Sequence, residues 1–337
     1  MFSKALFFQN YKHTKLLLWI ILAMFVIHMP FQATLSIEHW NERADMAETI
    51  DNYVYEVQRW DLIQVFSEGA VTIFLVIGII GLAAMLIGLE RNTRRQDFTL
   101  SLPYSRITSF VHKWLYGTAA IVVFHFVNFW IAYFIIYQSR HQLSFEQVTF
   151  NEILYEPMLG FILLYTFALM IGSISGEMIS QLGLTALFGF LPLGIFYLMQ
   201  DLIDVHFGTV VPLPIWVEFI TPFIYVFDGG QGGPFLIFRF IGIALFFVAG
   251  LWLYRKSPAE FNGEFLVYKR IQPVLTVLIV LMISFFGGSF ITSLAPWTAD
   301  VLRILSYWIG FTVFLLFAVL IVRKITEMRL LTAGGSD

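Results

Sequence analysis

Eight apolar stretches, each nearly free of charged residues, dominate this sequence of 337 residues. Their ranges are 16–35, 69–89, 115–137, 157–175, 181–200, 235–254, 273–294 and 301–322. Each has about 20 residues, which is long enough for an α-helix to cross a hydrocarbon core of roughly 30 Å. A helix satisfies its backbone hydrogen bonds within one segment, as the water-free bilayer interior requires. We therefore predict an all-α polytopic membrane protein with about eight transmembrane helices.

The composition agrees with this class and excludes several kinds of site. Hydrophobic residues make up 58% of the chain and charged residues 13%, which is abnormal for a soluble domain of this length. The chain contains no cysteine, which excludes disulfides, thiolate metal sites and cysteine nucleophiles together. We expect the lipid bilayer as a partner, and neither a metal nor a cofactor in this chain nor any binding of nucleic acid.

The charges of the connecting segments differ between the two sides. If the N-terminus is cytoplasmic, the inside segments are 1–15, 90–114, 176–180, 255–272 and 323–337. These hold fifteen of the twenty Lys and Arg residues, whereas the facing segments hold sixteen of the twenty-three acids. The positive-inside rule predicts this asymmetry. We predict that both termini are cytoplasmic and that the protein is a multi-pass protein of a bacterial plasma membrane.

Two segments outside the spans are predicted to contain a helix. Residues 1–15 mix phenylalanines with lysines, as an interfacial helix in the headgroup plane does. Apolar residues at helical spacing predict a surface helix over about 47–66 in the external loop 36–68. In that loop Glu38, His39 and Glu42 are the best candidates for a metal site. Their spacing matches no zinc signature, so a solvated acidic face is the preferred interpretation.

The segment 201–234 is rich in Pro and Gly and contains no Lys or Arg. It has too many helix breakers for a span and is too apolar for an ordinary exposed loop. Two structures would reconcile these properties. One is a pair of short re-entrant helices in the outer leaflet, covered by protein. The other is a folded external cap that lies on top of the helices.

The inside loop 90–113 is not merely basic. Phe98, Leu100 and Leu102 are apolar residues among charges, and Pro103 then breaks the chain. Ser105 is placed to cap a new helix that continues into the third span. An apolar knob with a charged rim suits docking on a soluble partner. A purely basic loop would serve only orientation or anionic lipid.

Three parts of the chain resemble the ABC-2 family of ATP-binding-cassette (ABC) transporter permeases. The first is the run Thr99-Leu100-Ser101-Leu102-Pro103-Tyr104-Ser105-Arg106, with Glu90 upstream and Lys113 downstream. The second is Thr221-Pro222-Phe223-Ile224-Tyr225. The third is the stretch 254–263 followed by Tyr268-Lys269, which is similar to longer members such as the YtrC/YtrD-type permeases of bacilli. In place of the family's usual Gly-Thr pair after Glu90, this chain has Arg94-Arg95-Gln96-Asp97.

The resemblance implies a domain layout. Residues 1–15 would be an elbow helix and 16–254 a six-span permease core with the 36–68 loop, the 90–113 coupling loop and the 201–234 cap. A cytoplasmic linker (255–272), two additional spans (273–322) and a cytoplasmic tail (323–337) would follow.

The resemblance also implies partners and a mechanism. The core would pair with a second permease copy or a homologue, and loop 90–106 would sit in a cleft of a cytosolic ABC ATPase subunit. The residues expected to couple the two proteins are Arg94, Asp97, Phe98, Leu102, Pro103, Ser105 and Arg106. Phe98 and Leu102 would fill the groove of the ATPase, and charges at the rim would set the register. Transport would be export.

The phosphate-binding pattern Gly-x-x-x-x-Gly-Lys-Ser/Thr occurs nowhere in the sequence. The resemblance therefore implies that the partner subunit binds and uses the ATP. On this interpretation the chain is not an enzyme and has no catalytic residues.

Other classes of function remain as alternatives. The segment 172–176, Gly-Ser-Ile-Ser-Gly, invites comparison with intramembrane serine proteases, although small residues for close helix packing explain it more simply. A secondary carrier or channel would use ionisable groups near the membrane centre. The candidates are His28 and His125, the latter one turn from Asn128, whereas Arg239 and Arg303 are expected to snorkel to the external surface. A membrane sensor without an ATPase partner is the third alternative.

Overall fold

The computed structural model describes residues 4–51, 55–69, 71–93, 104–227 and 234–333. Within these ranges the regular elements are helices, apart from an isolated bridge between Ser175 and Leu266. The α-helices are α1 (Lys4–Val26), α2 (Gln32–Asp51), α3 (Arg59–Ile63), α4 (Thr72–Leu86), α5 (Gly88–Asn92), α6 (Arg106–Tyr137), α7 (Glu156–Ile174), α8 (Met178–Phe207), α9 (Ile215–Phe219), α10 (Ile224–Phe227), α11 (Pro234–Lys256), α12 (Gln272–Thr292) and α13 (Asp300–Ala333).

In the part of the chain that the structure describes, eight helical stretches are long and apolar enough to cross a membrane. They are Lys4–Thr49, Arg59–Asn92, Arg106–Tyr137, Asn151–Ile174, Met178–Phe207, Phe235–Lys256, Lys269–Thr292 and Asp300–Ile321. This confirms the predicted all-α, multi-pass architecture.

The described chain divides into two compact units. The first comprises Met1–Gly189 and Thr221–Val267. At its centre α7 packs against α4, α6 and α11, and its residues are buried on nearly every side. A helix that is apolar all round can be buried in this way.

The second unit comprises Phe190–Ile220 and Tyr268–Asp337. In it α12 packs along α13, where a Cβ atom at Gly310 would overlap the Gly287 carbonyl oxygen. Close approach of two helix backbones is the usual reason for glycine at such a membrane interface.

The N-terminal helix differs from the predicted elbow over 1–15. Residues from Lys4 to Val26 form one uninterrupted α-helix, without a turn before the first span. No Pro or Gly occurs in this stretch, so nothing in the sequence breaks the helix. Pro30 then lies in a π-helical segment, Ile27–Phe31, through which α1 continues into α2. The helical stretch Lys4–Thr49 has 46 residues, which at 1.5 Å per residue is about 70 Å.

The predicted surface helix over 47–66 is wrong. The helix that contains residue 47 is α2, which ends at Asp51, and a separate helix α3 begins at Arg59. Gln58 has an extended conformation, and its backbone N–H donates to Asp61 Oδ2 at 3.0 Å. This capping box starts a new helix, which apolar spacing alone cannot distinguish from a continuing one.

The segment 201–234 begins inside α8, which extends to Phe207, and also contains α9 and α10. Within the first unit, Phe223 packs on Gly189, where a Cβ atom would overlap its ring. The Tyr225 carbonyl oxygen similarly occupies the space beside Gly160. Residues 228–233 lie outside the described ranges. The choice between a re-entrant segment and a cap stays a prediction.

Candidate functional site

The third span begins where Ser105 was predicted to cap it. Ser105 is extended, and its Oγ accepts a hydrogen bond from the Thr108 backbone N–H at 3.1 Å. One otherwise unsatisfied N–H at the start of α6 is thereby paired. Five other residues of the predicted coupling site lie outside the described residues: Arg94, Asp97, Phe98, Leu102 and Pro103. Their roles stay predictions.

Glu90 and Lys113, on either side of the undescribed loop, form a buried ion pair. Lys113 Nζ lies 2.5 Å from Glu90 Oε2, and the two side chains are only 3% and 7% exposed. Lys113 also donates to the Leu86 carbonyl oxygen, at the end of α4. Because removing one partner leaves a buried charge uncompensated, such a pair is costly to break, at about 3–5 kcal/mol. The pair joins α5 to α6.

Arg91 is buried at the end of α7. One of its nitrogens, Nη1, donates to the carbonyl oxygen of Gly172 at 3.0 Å and to that of Ser175, and Nη2 donates to Ser257 Oγ at 2.9 Å. The last carbonyl groups of a helix lack partners inside the helix. The fixed fork of donors of a guanidinium can satisfy several of them at once. Arg91 therefore ties α5 to the end of α7 and to the 255–268 segment.

Arg106, which follows the loop, also binds Ser257. Its Nη1 donates to the Ser257 carbonyl oxygen. Arg91, before the loop, and Arg106, after it, therefore both bind Ser257, whose residue is only 3% exposed. The predicted coupling residue Arg106 thus has a partner inside this chain.

The segment around Ser257 is itself held against the junction of α7 and α8. The Gly263 backbone N–H donates to the Gly176 carbonyl oxygen at 2.8 Å, and that of Val267 donates to Ile174 at 2.9 Å. A Cβ atom at Gly176 would overlap the Glu264 carbonyl oxygen, so only glycine permits this approach. We call residues 257–267 the linker strap.

The contacts of residues 172–176 agree with helix packing as the explanation of their small side chains. A Cβ atom at Gly172 would overlap the Gln181 side chain. The Ser173 hydroxyl is buried and donates to the Leu169 carbonyl oxygen at 3.1 Å, one turn earlier in its own helix. This segment therefore brings α7 and α8 together.

Arg239 does not snorkel to the surface, contrary to the prediction. Its side chain is 0% exposed, and Nη1 lies 3.2 Å from Oε2 of Glu156, which is 1% exposed. The guanidinium also lies over the Tyr225 ring, 5.4 Å from its centroid. Glu156 is far away in sequence, so hydropathy could not identify the ion pair that permits burial. Arg303, in the second unit, pairs with Asp204 at 2.7 Å and is 13% exposed.

The polar residues proposed for a carrier are buried. His125 Nε2 is 3.1 Å from the Leu154 carbonyl oxygen, and Asn128 Nδ2 donates to that of Phe124 at 2.7 Å. His28 is fully buried in the π-helical segment Ile27–Phe31. The contacts of His125 and Asn128 are those of hydrogen-bonded packing residues.

The acidic candidates of the 36–68 loop line an open groove of about 550 Å³ together with Trp60, Asp61 and Gln64. His39 Nε2 is 3.2 Å from Arg43 Nη2 in this groove. Among the described residues, no group of three or more His, Asp or Glu side chains is arranged to hold a metal ion.

Two curated bacterial proteins are similar to this chain. It is 27% identical over 225 residues to the probable ABC transporter permease YtrD of Bacillus subtilis (strain 168). This match covers 64% of this chain and 68% of YtrD. The chain resembles ABC transporter permeases. It is also 25% identical over 303 residues to the probable ABC transporter permease YtrC of the same strain. This second match covers 83% of this chain and 86% of YtrC.

The similarity to these permeases and the eight apolar helices indicate a multi-pass protein of a bacterial plasma membrane. They also indicate a transport subunit rather than an enzyme. No protein-family model matches the chain. No solved structure matches it either.

Sequence reasoning missed two residues of this site. Arg91 counted only as one of the positive inside charges, and Ser257 only as part of a stretch that resembles the family. The adjacency of Arg91 to Glu90 was the available signal, because a residue next to one end of a loop can hold that end.

Proposed function

We propose that this chain is the permease subunit of an ABC exporter, driven by a separate cytosolic ATPase that docks on the 90–106 loop. A second permease copy or a homologue would complete the translocation unit. The observation that carries the proposal is the similarity to YtrD and YtrC over most of the chain. The absence of a phosphate-binding loop from the sequence supports the assignment of ATP use to a partner.

The contacts that flank the loop supply a physical reason for docking there. A loop that transmits force must be anchored at both ends, since slack at either end would absorb the motion. Glu90 and Arg91 anchor the first end through Lys113 and Ser257, and Ser105 and Arg106 anchor the second. On this proposal Phe98 and Leu102 enter a groove of the ATPase, and Arg94 and Asp97 set the register.

The proposed sidedness follows from the charges of the loops. The loop, the Glu90–Lys113 pair and the linker strap would face the cytoplasm, together with both termini. The 138–148 segment and the groove lined by Glu38 and Glu42 would face outward. ATP-driven closure of two docked ATPases would then open the permease pair toward the outside.

A secondary carrier is the second candidate function. The observation that favours it is the buried Glu156–Arg239 pair, because charges inside membrane segments often mark ion pathways. Because the two charges compensate each other, the pair is equally suited to holding α7 and α11 together. ATP dependence separates the two candidates.

The test is affinity purification of the C-terminally tagged protein from its native membranes in mild detergent, followed by an ATPase assay. We expect recovery of a soluble-type ATPase with a phosphate-binding loop, and hydrolysis of ATP by the eluate. The matched control is a known ABC complex, purified under the same conditions. If that complex survives while this chain is recovered without an ATPase, the permease proposal fails and the carrier becomes the leading candidate.

A further inference from the structure

We propose that the linker strap, residues 257–267, transmits motion of the docking loop to the helix bundle, and that Ser257 is its positioning residue. The inference rests on the proposed function, because it assumes an ATPase that moves the loop. It adds to the docking site an element that is displaced when the loop moves. That element is a segment far from the loop in sequence, for which no role follows from the similarity to other permeases.

The first step of the argument is the convergence of both loop ends on one residue. Arg91 binds the Ser257 hydroxyl, and Arg106 binds the Ser257 carbonyl oxygen. Both groups of Ser257 are engaged, and the residue is shielded from water. A hydrogen bond to a charged donor is shorter and stronger than one between neutral groups. A displacement of either loop end is therefore passed to residue 257.

The second step is the tie between the strap and the bundle. Backbone hydrogen bonds from Gly263 and Val267 reach Gly176 and Ile174, where α7 ends just before α8 begins. The Glu264 carbonyl oxygen also packs so closely on Gly176 that a Cβ atom there would overlap it. A shift of the strap must therefore move the junction of the fourth and fifth spans.

Arg91 makes the same connection by a shorter route. Its Nη1 contacts with Gly172 and Ser175 link α5 directly to the end of α7, beside the strap. Ser257 thus closes a ring that runs from the first loop end through Arg91 to α7, through the strap, and back through Arg106 to the second loop end. A buried network of satisfied hydrogen bonds is rigid, so we expect the displacement of one member to reach the others.

Hydrogen exchange of the ATPase–permease complex in nanodiscs, with and without vanadate-trapped nucleotide, tests the inference. In the wild type we expect trapping to change the exchange of amides in 174–178 and 261–267. The Ser257→Ala variant, which removes the hydroxyl that Arg91 binds and leaves Arg106 in place, should retain the ATPase and lose a large part of this change. Ser257→Thr keeps the hydroxyl and should behave as the wild type. In the resting complex, Ser257→Ala should also speed exchange in the strap by at least about tenfold, the effect of one lost buried hydrogen bond to a charged group.

Two controls separate transmission from a general loss of stability. Ser284 is also a buried serine, but its hydroxyl donates to the Val280 carbonyl oxygen of its own helix at 2.7 Å. Arg140 is an arginine with several partners on the side predicted to be external. Ser284→Ala and Arg140→Met should leave the nucleotide-dependent change intact.

The possible failures are distinguishable. If the ATPase binds and hydrolyses ATP but exchange in 261–267 does not respond in the wild type, the strap inference is wrong and the permease proposal stands. A response of equal size in the Ser257→Ala variant also overturns the inference. If the wild type recovers no ATPase, the proposed function fails, and the inference fails with it.

Discussion

Lys113 Nζ lies 2.5 Å from Glu90 Oε2, in an ion pair from which solvent is almost entirely excluded. The two residues bracket the loop that the sequence marks as the docking element. The pair therefore fixes the distance between the second and third spans where the loop leaves and re-enters the bundle. Arg91 and Arg106 connect the two ends of the loop a second time, because both donate hydrogen bonds to Ser257.

Removal of one member of this pair should be strongly destabilising. Glu90→Gln or Lys113→Met leaves a buried charge without its partner, which costs about 3–5 kcal/mol. The double variant should lose less than the sum of the two, because no lone charge remains. Thermal unfolding in nanodiscs measures this. Arg59→Met is the control, since Arg59 pairs with Glu152 but is 47% exposed, and its loss should cost at most about 1 kcal/mol. Equal losses in the buried and exposed pairs would contradict the prediction.

Acidic substitutions in the docking loop should abolish binding of the ATPase without affecting insertion into the membrane. Phe98→Asp/Leu102→Asp should reach the membrane in normal amounts and fail to retain the ATPase, because carboxylates cannot fill an apolar groove. Co-purification of the ATPase measures this effect. Leu143→Asp/Val210→Asp is the matched control, since both residues are exposed apolar residues in segments predicted to be external. Normal ATPase binding by Phe98→Asp/Leu102→Asp would remove these two residues from the coupling site.

The buried Glu156–Arg239 pair in the first unit should have a structural role. Arg239→Met should destabilise the protein by about 3–5 kcal/mol, because it removes the guanidinium charge that faces the buried Glu156 carboxylate. Glu156→Gln/Arg239→Met should recover part of the loss and retain ATPase binding and hydrolysis. Thermal unfolding and ATPase assays measure the two effects. A double variant that folds normally and binds the ATPase but has lost all ATP-dependent activity would give the pair a direct role in transport and count against a purely structural pair.

The pH dependence of stability should include a contribution from His141, which follows the third span. Burial, together with the nearby Arg140 charge, lowers the pKa of His141 below its ordinary value of 6.5. Between the two pKa values the unfolded chain binds more protons than the folded one, so stability rises with pH there. The contribution is complete above about pH 6.5 and is lost as the pH falls toward the folded-state pKa. The difference in unfolding temperature between wild type and His141→Gln, measured from pH 5 to 8, isolates this residue. A difference that does not change with pH would contradict the assignment.

Single cysteines can test the sidedness directly, since the natural chain contains none. Leu143→Cys should react with a membrane-impermeant maleimide in intact cells, because its side chain is 69% exposed and its segment is predicted to be external. Glu260→Cys, in the linker strap, should react only after permeabilisation. Mass spectrometry or gel shift reads the labelling. The reverse pattern would invert the topology and remove the cytosolic docking loop.

The sequence predicted the features that are local or periodic. Hydropathy identified the spans, because burial in lipid acts on every residue of a segment of about 20. Ser105 was identified because a cap depends on residues within one turn. Hydropathy did not show that the helical stretch of the first span continues through α2, which ends at Asp51. The polar residues after position 35 mark where the membrane ends, and a helix does not need to stop there.

Partners distant in sequence could not be predicted from the sequence. Arg239 looked like an interfacial arginine because Glu156 belongs to another span. The three contacts of Arg91 join residues on three different segments, and no local pattern encodes them. In both cases the decisive term is the pairing of a buried charge, which exists only after the helices have packed.

The long N-terminal helix has a practical consequence for imaging. Lys4–Thr49 spans about 70 Å, whereas a bilayer with its headgroups is about 40–45 Å thick. Part of this helix must therefore stand clear of the detergent or lipid belt, and Arg140 braces it there through Asn41 and Asp45. Small membrane proteins are difficult to align in electron micrographs because little of them emerges from the belt. A rigid projection of this kind gives each particle image an orientation mark, and a Fab raised against it would enlarge that mark without touching the docking loop.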